Sequence, residues 1–305
     1  MRKTVKKIRV LYFMIGLLGI GLIGCTGDDT EVRQTSAEPV TEQEEQTKSE
    51  SEEQVQKQKY VFYDVEENRY EAELLEEVPK CVYDFSNLKE KNGLKIYEDK
   101  ENDVRSKVGI DVSEFQGDID WQAVKSSGIE FAIIRMGYRG YGESGTLVVD
   151  PMFDVHIKGA IDAGLQVGVY FFSQAITAEE AREEAEFVLK HIEMYALTGP
   201  VVFDTEEIKY DTARTDNNTV KQFTDYCIIF CDEIKKAGYE PMIYANMKWM
   251  AFTLDLTRLT EYPFWYADYH ETPQCPYDFE MWQYTETGTV PGVNGNVDIN
   301  LWFQK

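Results

Sequence analysis

The chain is poor in the residues that build metal sites and disulfide frameworks. It has three His and five Cys among 305 residues, and no two Cys are spaced as in a CxxC motif. A structural zinc site therefore has little support, and we predict neither a metal nor another cofactor. Cys227 and Cys231 lie four residues apart in a helical pattern, where we interpret both as buried small apolar residues and not as a disulfide.

Positive charge is also scarce. The chain has 31 Lys and Arg against 55 Asp and Glu, which gives a formal net charge of −24. Five of the cations lie among the first nine residues, so their removal with a signal segment would bring the net charge near −29. Such a chain is a poor candidate for binding nucleic acid or an anionic lipid surface.

A single long apolar run, residues 10–24, follows this basic start. It is too short and ends too abruptly for a convincing membrane span, and its parts are those of a secretory signal. It closes on Leu22-Ile23-Gly24-Cys25, which resembles the lipobox of bacterial lipoproteins. We therefore predict a signal peptide over 1–24 and a lipidated Cys25, since two acyl chains provide stable anchoring. A plain signal peptide with an incidental cysteine, or an uncleaved anchor, is the alternative.

The segment after Cys25 lacks large apolar side chains. Residues 26–59 are rich in Glu, Gln, Ser and Thr, so they cannot bury enough surface to fold. We interpret 25–59 as the lipidated cysteine and a disordered acidic linker. It would span roughly 30 Å as a flexible coil and at most about 110 Å when extended. An acidic interaction tail is the alternative.

Residues 60–106 predict a small β-rich extension. Residues 60–65 and 69–74 alternate in polarity around a possible turn, which indicates a hairpin. Residues 82–85 and 94–97 flank a second turn at Asn92-Gly93. We expect this unit to pack on the main domain or to act as a spacer.

From residue 107 to 305, short apolar strands alternate with helical patterns, which is typical of one α/β barrel. The predicted fold is an irregular TIM-like barrel of eight strands and about five helices. The candidate strands are 108–112, 131–136, 166–173, 200–205, 241–245, 263–267, 280–285 and 296–300. One helical pattern carries an acidic run that we interpret as a solvated face and not as a site: Glu179, Glu180, Glu183, Glu184 and Glu186.

Asp204 and Glu206 are the leading catalytic candidates. They end an apolar run at i and i+2, so their side chains share one face of a strand, with backbone positions roughly 6.6 Å apart. Ionised carboxylates are almost never buried unpaired, and two such groups with different proton affinities suit hydrolysis of a glycosidic bond. A strand end that caps a helix or pairs with a basic side chain is the alternative.

The order of several motifs resembles glycoside hydrolase family 25, the Chalaropsis-type lysozymes. The matching segments are Gly109-Ile110-Asp111-Val112-Ser113, Phe131-Ala132-Ile133-Ile134-Arg135, Gly168-Val169-Tyr170-Phe171-Phe172, Phe203-Asp204-Thr205-Glu206, Trp265-Tyr266-Ala267-Asp268-Tyr269, Met281-Trp282-Gln283-Tyr284 and Asn296-Val297-Asp298-Ile299-Asn300. The resemblance covers 107–305 and implies an irregular barrel with carboxylates at the C-terminal strand ends.

The resemblance implies roles for four acids. Glu206 would be the general acid and then the base, with Asp204 stabilising a substrate-assisted intermediate. Asp111 and Asp298, from the first and last strands, would be further acids at the same mouth, since those strands are neighbours in a closed barrel.

Six further residues are predicted to contact substrate: Tyr170, Arg135, Trp265, Tyr269, Trp282 and Gln283. Aromatic rings at strand ends can stack on sugar faces, although burial in the core is the alternative for any single ring. Two departures from the common family wording concern substrate preference: Phe171 stands where many members have His, and no glutamate follows Arg135 closely.

The resemblance implies a peptidoglycan hydrolase that cleaves β-1,4 bonds between N-acetylmuramic acid and N-acetylglucosamine. We expect a monomer, lipid-anchored to the outer face of a bacterial cell membrane, whose partners are glycan strands. It would meet the membrane only through the anchor and would bind no nucleic acid. A lipoprotein that binds peptidoglycan without cutting it is the alternative, and a structural spacer is a distant third.

Overall fold

The computed structural model describes residues 58–209 and 211–304, and these belong to one compact unit. The predicted signal peptide, Cys25 and most of the acidic linker lie outside the described residues. Across the described ranges, no helix is both long and apolar enough to cross a membrane.

The described residues form thirteen strands and five α-helices. The strands are β1 Lys59–Tyr63, β2 Arg69–Glu73, β3 Leu88–Lys91, β4 Leu94–Asp99, β5 Val104–Val112, β6 Phe131–Arg139, β7 Leu147–Val149, β8 Gln166–Phe172, β9 Val201–Asp204, β10 Pro241–Asn246, β11 Phe264–Ala267, β12 Met281–Gly288 and β13 Val297–Gln304. The helices are α1 Trp121–Ser126, α2 Phe153–Asp162, α3 Ala178–Ile192, α4 Val220–Lys236 and α5 Met247–Phe252.

Eight of these strands close into a barrel, in the order β5, β6, β8, β9, β10, β11, β12 and β13. Neighbouring strands are parallel except at β13, which runs antiparallel to both β12 and β5. Each of the eight predicted strands overlaps one barrel strand. The predicted barrel of eight strands and about five helices is confirmed.

The barrel strands read as continuous apolar runs because both of their faces are buried. One set of side chains fills the interior: Phe131, Ile133, Val202, Met242, Trp265 and Met281. Alternate residues face the helices, as where Phe203 meets Phe230 of α4 with ring centroids 5.2 Å apart. Gly109 is required in the interior, since an added Cβ would lie 2.4 Å from the Phe131 ring.

Helix α4 confirms the interpretation of the two spaced cysteines. Cys227 and Cys231 are free thiols that are fully buried on its inner face. Burial raises the pKa of both thiols, so they behave as small apolar residues.

The prediction that the acidic run of α3 is a solvated face is wrong at Glu184, which is fully buried. Arg139 at the end of β6 donates from Nε to Glu184 Oε1 at 2.7 Å, and Ser173 donates to Oε2 at 2.6 Å. A buried charge needs such a partner, and Arg139 lies 45 residues away in sequence. Periodicity along α3 alone therefore could not indicate it.

Residues 59–73 and 88–99 form two hairpins, β1–β2 and β3–β4. The first hairpin agrees with its prediction. The second differs, because 82–85 is not a strand. Both residues of its turn, Asn92 and Gly93, have positive φ, as in the two-residue turns of tight β-hairpins. The turn therefore joins β4 directly to β3, which ends at Lys91. Asp84 instead caps a short 3₁₀ turn through the Ser86 N–H. Strand β4 then pairs with the first residues of β5.

Candidate active site

The four predicted acids lie together at one mouth of the barrel. Asp111 and Asp204 lie at the C-terminal ends of β5 and β9, and Glu206 follows in the next loop. Asp298 reaches the same end because β13 is antiparallel, and it pairs in register with Asp111. All four line one cavity of about 630 Å³.

A hydrogen-bond network fixes Asp111 at the floor of this cavity. Its Oδ2 accepts from Gln283 Nε2 at 3.0 Å and from Asn300 Nδ2 at 2.8 Å. Trp265 Nε1 donates to Asn300 Oδ1 at 2.8 Å, and the Tyr244 and Tyr269 hydroxyls donate to Gln283 Oε1. Each of these side chains has its orientation set by another, so the floor is preorganised.

Asp298 forms a hydrogen bond with the neighbouring Asp111. Burial, the charge of Asp111 and a hydrogen bond with Asp111 raise the pKa of Asp298 to about 9. Burial also raises the pKa of Asp111, so the two adjacent acids are favoured to share a proton and not to ionise together.

Asp204 is buried, and its Oδ1 has no hydrogen-bond partner among the described residues. Burial, the Glu206 carboxylate and the Asp111 carboxylate raise the pKa of Asp204 well above its usual value, while the Arg135 charge lowers it. A cation forming beside Asp204 would favour its ionised form. The unpartnered oxygen is thus available to a bound ligand.

Glu206 is only partly covered by protein and faces the cavity. Burial raises the pKa of Glu206 to about 7, with Asp111 and Glu286 also raising it and Lys209 lowering it. Both protonation states are populated near neutral pH, which is the condition for a group that first donates and later accepts a proton.

Four of the six predicted substrate-binding residues line the cavity: Tyr170, Trp265, Tyr269 and Gln283. Arg135 does not. Its guanidinium lies 2.7 Å from Asp150 Oδ2 and 2.9 Å from Glu114 Oε1, and it affects the site through its charge on Asp204.

Trp282 is not at the cavity, contrary to its prediction. It is fully buried on the outer face of the barrel, where Nε1 donates to the Asp268 carbonyl at 2.7 Å. Strand side chains alternate, so Met281 and Gln283 face inward and the residue between them faces outward.

Several cavity residues were missed from the sequence. Tyr244 lies in β10 two positions after the inward-facing Met242, so alternation on that predicted strand could have indicated it. Asp268 follows the inward-facing Ala267 and binds His270 and Gln274. The β1–β2 hairpin also borders the cavity, and no local signal connects it to residues more than 100 positions later.

No group of three or more His, Cys, Asp or Glu side chains in the described parts of the chain is arranged to hold a metal ion.

The model of the family Glycosyl hydrolases family 25 matches residues 110–293, more than half of the chain. The chain belongs to this family. Asp111, Asp204 and Glu206 lie within the matched segment, whereas Asp298 and the whole β1–β2 hairpin lie outside it.

Individual relatives agree with this family 25 assignment. The autolytic lysozyme of Clostridium acetobutylicum is 26% identical over 63% of this chain and 54% of its own length. Lysozyme M1 of Streptomyces globisporus is 28% identical over 63% of this chain and 66% of its own length. The chain thus spans about half to two thirds of these two family 25 relatives.

Among solved structures, the bacterial lysozyme from Streptomyces coelicolor is similar in fold. It superimposes with a TM-score of 0.51 at 26% identity, covering 64% of this chain and 91% of the other. The shared part is the family 25 barrel.

Proposed function

We propose that this protein hydrolyses the β-1,4 bond between N-acetylmuramic acid and N-acetylglucosamine in peptidoglycan. The observation that carries the proposal is the pair Asp204 and Glu206, which face one cavity with raised pKa values and no ion pair between either of them and a described residue. The family and its lysozyme relatives support this reaction and substrate class.

Glu206 would protonate the departing glycosidic oxygen. Its pKa of about 7 leaves a substantial protonated fraction at neutral pH, and after bond cleavage the resulting carboxylate can activate water. One residue thus serves both steps with no second acid.

Asp204 would act on the other side of the reacting carbon. The 2-acetamido oxygen of the substrate would attack that carbon as the bond to the glycosidic oxygen breaks, and Asp204 in its ionised form would stabilise the positively charged ring that results. Asp111, held by Gln283 and Asn300, would shape the negative potential around it. This route predicts net retention without a covalent bond between sugar and enzyme.

The direct test uses purified cell walls. Loss of turbidity, release of muropeptides with a reducing N-acetylmuramic acid end, and an initial product of retained anomeric configuration are the expected results. Binding of walls without any muropeptide release would replace the proposal with a non-catalytic glycan-binding role. An initial product of inverted configuration would defeat the substrate-assisted route.

We also propose that Cys25 is lipidated and that 26–59 tethers the enzyme outside the cytoplasmic membrane. The lipobox resemblance and the acidic, apolar-poor composition of 26–59 support this. Cys25→Ala should move the protein from the detergent-soluble membrane fraction to a soluble or unprocessed form, with the activity of the domain retained. Unchanged partitioning of the Cys25→Ala protein between the two phases of a detergent extraction would contradict lipidation.

A further inference from the structure

The β1–β2 hairpin forms one wall of the cavity that contains the four acids. Six of its residues border that cavity, and we call them the hairpin wall: Tyr63, Asp64, Val65, Glu66, Asn68 and Tyr70. The wall lies outside the segment that matches the family.

The hairpin is firmly docked through a buried ring. Phe62 has no exposed surface and packs against Tyr70 of the hairpin and Phe252 of α5, with ring centroids 5.3 Å and 6.0 Å apart. The hairpin is therefore part of the folded barrel domain.

Backbone hydrogen bonds connect the same hairpin to the cavity. The Gln274 side chain accepts from Tyr63 N at 2.9 Å and donates to Tyr63 O at 3.0 Å. The Gln274 N–H in turn donates to Asp268 Oδ2 at 2.8 Å, and Asp268 lines the cavity. The position of Tyr63 is thus fixed relative to the floor of the site.

The acids of the wall are already engaged. Asp64 accepts from the Glu66 and Asn68 N–H groups and from the Tyr70 hydroxyl, which sets the shape of the turn. Glu66 forms an ion pair with Lys209, in the loop that carries Glu206. Because these carboxylates have partners, the wall does not present a free acidic pair to a cationic ligand.

What the wall does present is an open aromatic and apolar surface. The Tyr63 side chain is 41% exposed, and no ring among the described residues stacks on it. Val65, at the turn, is 54% exposed. Tyr63 borders a sugar-sized cleft, its backbone is held by Gln274 and its ring is partly exposed, so it is suited to stacking on the apolar face of a pyranose.

We propose that the hairpin wall is a saccharide subsite, with Tyr63 stacking on a sugar ring of the glycan strand away from the bond that is cut. This rests on the proposed function for the identity of the glycan. The subsite would favour long glycan strands over short fragments, because only a long strand reaches both the acids and the hairpin.

The test measures binding, so that it does not depend on cleavage. Glu206→Gln serves as the background, and calorimetry gives its affinity for peptidoglycan oligosaccharides from a disaccharide to an octasaccharide. Adding Tyr63→Ala should weaken the longest ligand by about three- to tenfold and the disaccharide by less than about twofold. Tyr63→Phe keeps the ring and should restore the affinity.

Val61→Ala is the matched control. Val61 lies on the same strand, is 42% exposed and does not border the cavity, so its loss should change no affinity. If Tyr63→Ala lowers the unfolding temperature markedly, Val65→Ser probes the same wall and should show the same dependence on ligand length.

Equal weakening at all lengths, or none, would overturn the subsite. The wild-type protein is assayed in parallel on intact walls. Failure to release muropeptides while the length dependence persists would overturn the proposed activity and leave the subsite standing, so the two failures are distinguishable.

Discussion

Glu184 and Glu206 have similar pKa values, but Glu184 has hydrogen-bond partners and Glu206 faces the cavity with none among the described residues. Burial raises the pKa of each to about 7. The Glu184 carboxyl oxygens accept hydrogen bonds from Arg139, Ser173 and the Gln174 N–H. Glu206 has no hydrogen bond to another described residue and faces the cavity that Asp111, Asp204 and Asp298 also line.

The difference shows that a raised pKa alone does not distinguish a catalytic acid from a structural one. Desolvation acts on both glutamates. Glu184 is compensated by hydrogen bonds from a cation and a hydroxyl, whereas Glu206 has the opposing charge of Lys209 but no such hydrogen bond from a described residue. A carboxyl that is buried but left unsatisfied destabilises the free protein and retains its hydrogen-bonding capacity for a substrate. Substitutions at Glu184 and Glu206 should therefore affect different properties of the protein.

The largest expected effect is on turnover. Glu206→Gln keeps the shape of the side chain but removes the transferable proton, so kcat should fall by about 10²–10⁴ with folding intact. Glu184→Gln is the matched control, and its kcat should stay within about threefold of wild type. Muropeptide release assays give both values. Near-normal turnover of Glu206→Gln would remove that residue as the acid.

Breaking the structural pair should act on stability instead. Arg139→Met leaves Glu184 buried without its cation, so the free energy of unfolding should fall by about 3 kcal/mol. Arg182→Met removes an exposed ion pair with Glu233 and should cost less than about 1 kcal/mol. Urea unfolding monitored by circular dichroism measures the free energy of unfolding of both variants. Equal losses in the two variants would contradict a stabilising role for the buried Arg139–Glu184 pair.

The pH dependence of catalysis should follow Glu206 and not Glu184. The acid form of Glu206 is lost as pH rises through about 7, so kcat/KM should decline across that range. If the Glu184→Gln protein shows the same decline of kcat/KM with pH, the decline comes from a group in the cavity and not from Glu184. A profile that is flat between about pH 6 and about pH 8 would count against Glu206 as proton donor.

The smallest effect concerns stability against pH. Asp298 and Glu206 have folded-state pKa values of about 9 and about 7, above those of the unfolded chain, so the folded protein binds more protons. Their stabilising contribution is complete below about pH 4 and is lost as pH rises through about 7 to 9. The unfolding temperature should therefore be lower at about pH 9 than at about pH 5. Asp298→Asn should flatten this dependence, and an unchanged slope would contradict the assignment.

Local patterns were enough for the barrel and for its acids. The strands of the barrel are buried on both faces, so each appears as a short apolar run, and the acids lie where those runs end. Asp204 and Glu206 lie two residues apart in the chain, so their proximity follows from backbone geometry.

Local patterns failed where a partner comes from a distant segment. Trp282 was predicted to touch substrate because it lies beside a strand end, but the outward register of its position places it against Asp268 and the Phe85 ring. Glu184 was predicted to be exposed because its helix is rich in glutamate. In both cases the environment depends on residues that helical or strand periodicity does not report.

The fold class, the eight strands and the pair Asp204 and Glu206 could be predicted from the sequence, because periodicity and short spacing act within one segment. Three outcomes followed from the tertiary structure: which of two glutamates with raised pKa values has hydrogen-bond partners, which face of β12 meets the cavity, and that the β1–β2 hairpin borders the site. Those outcomes depend on contacts between residues tens to hundreds of positions apart, such as Arg139 with Glu184 and Tyr63 with Gln274. Closing the barrel creates these contacts, since it brings the ends of separate strands to one mouth.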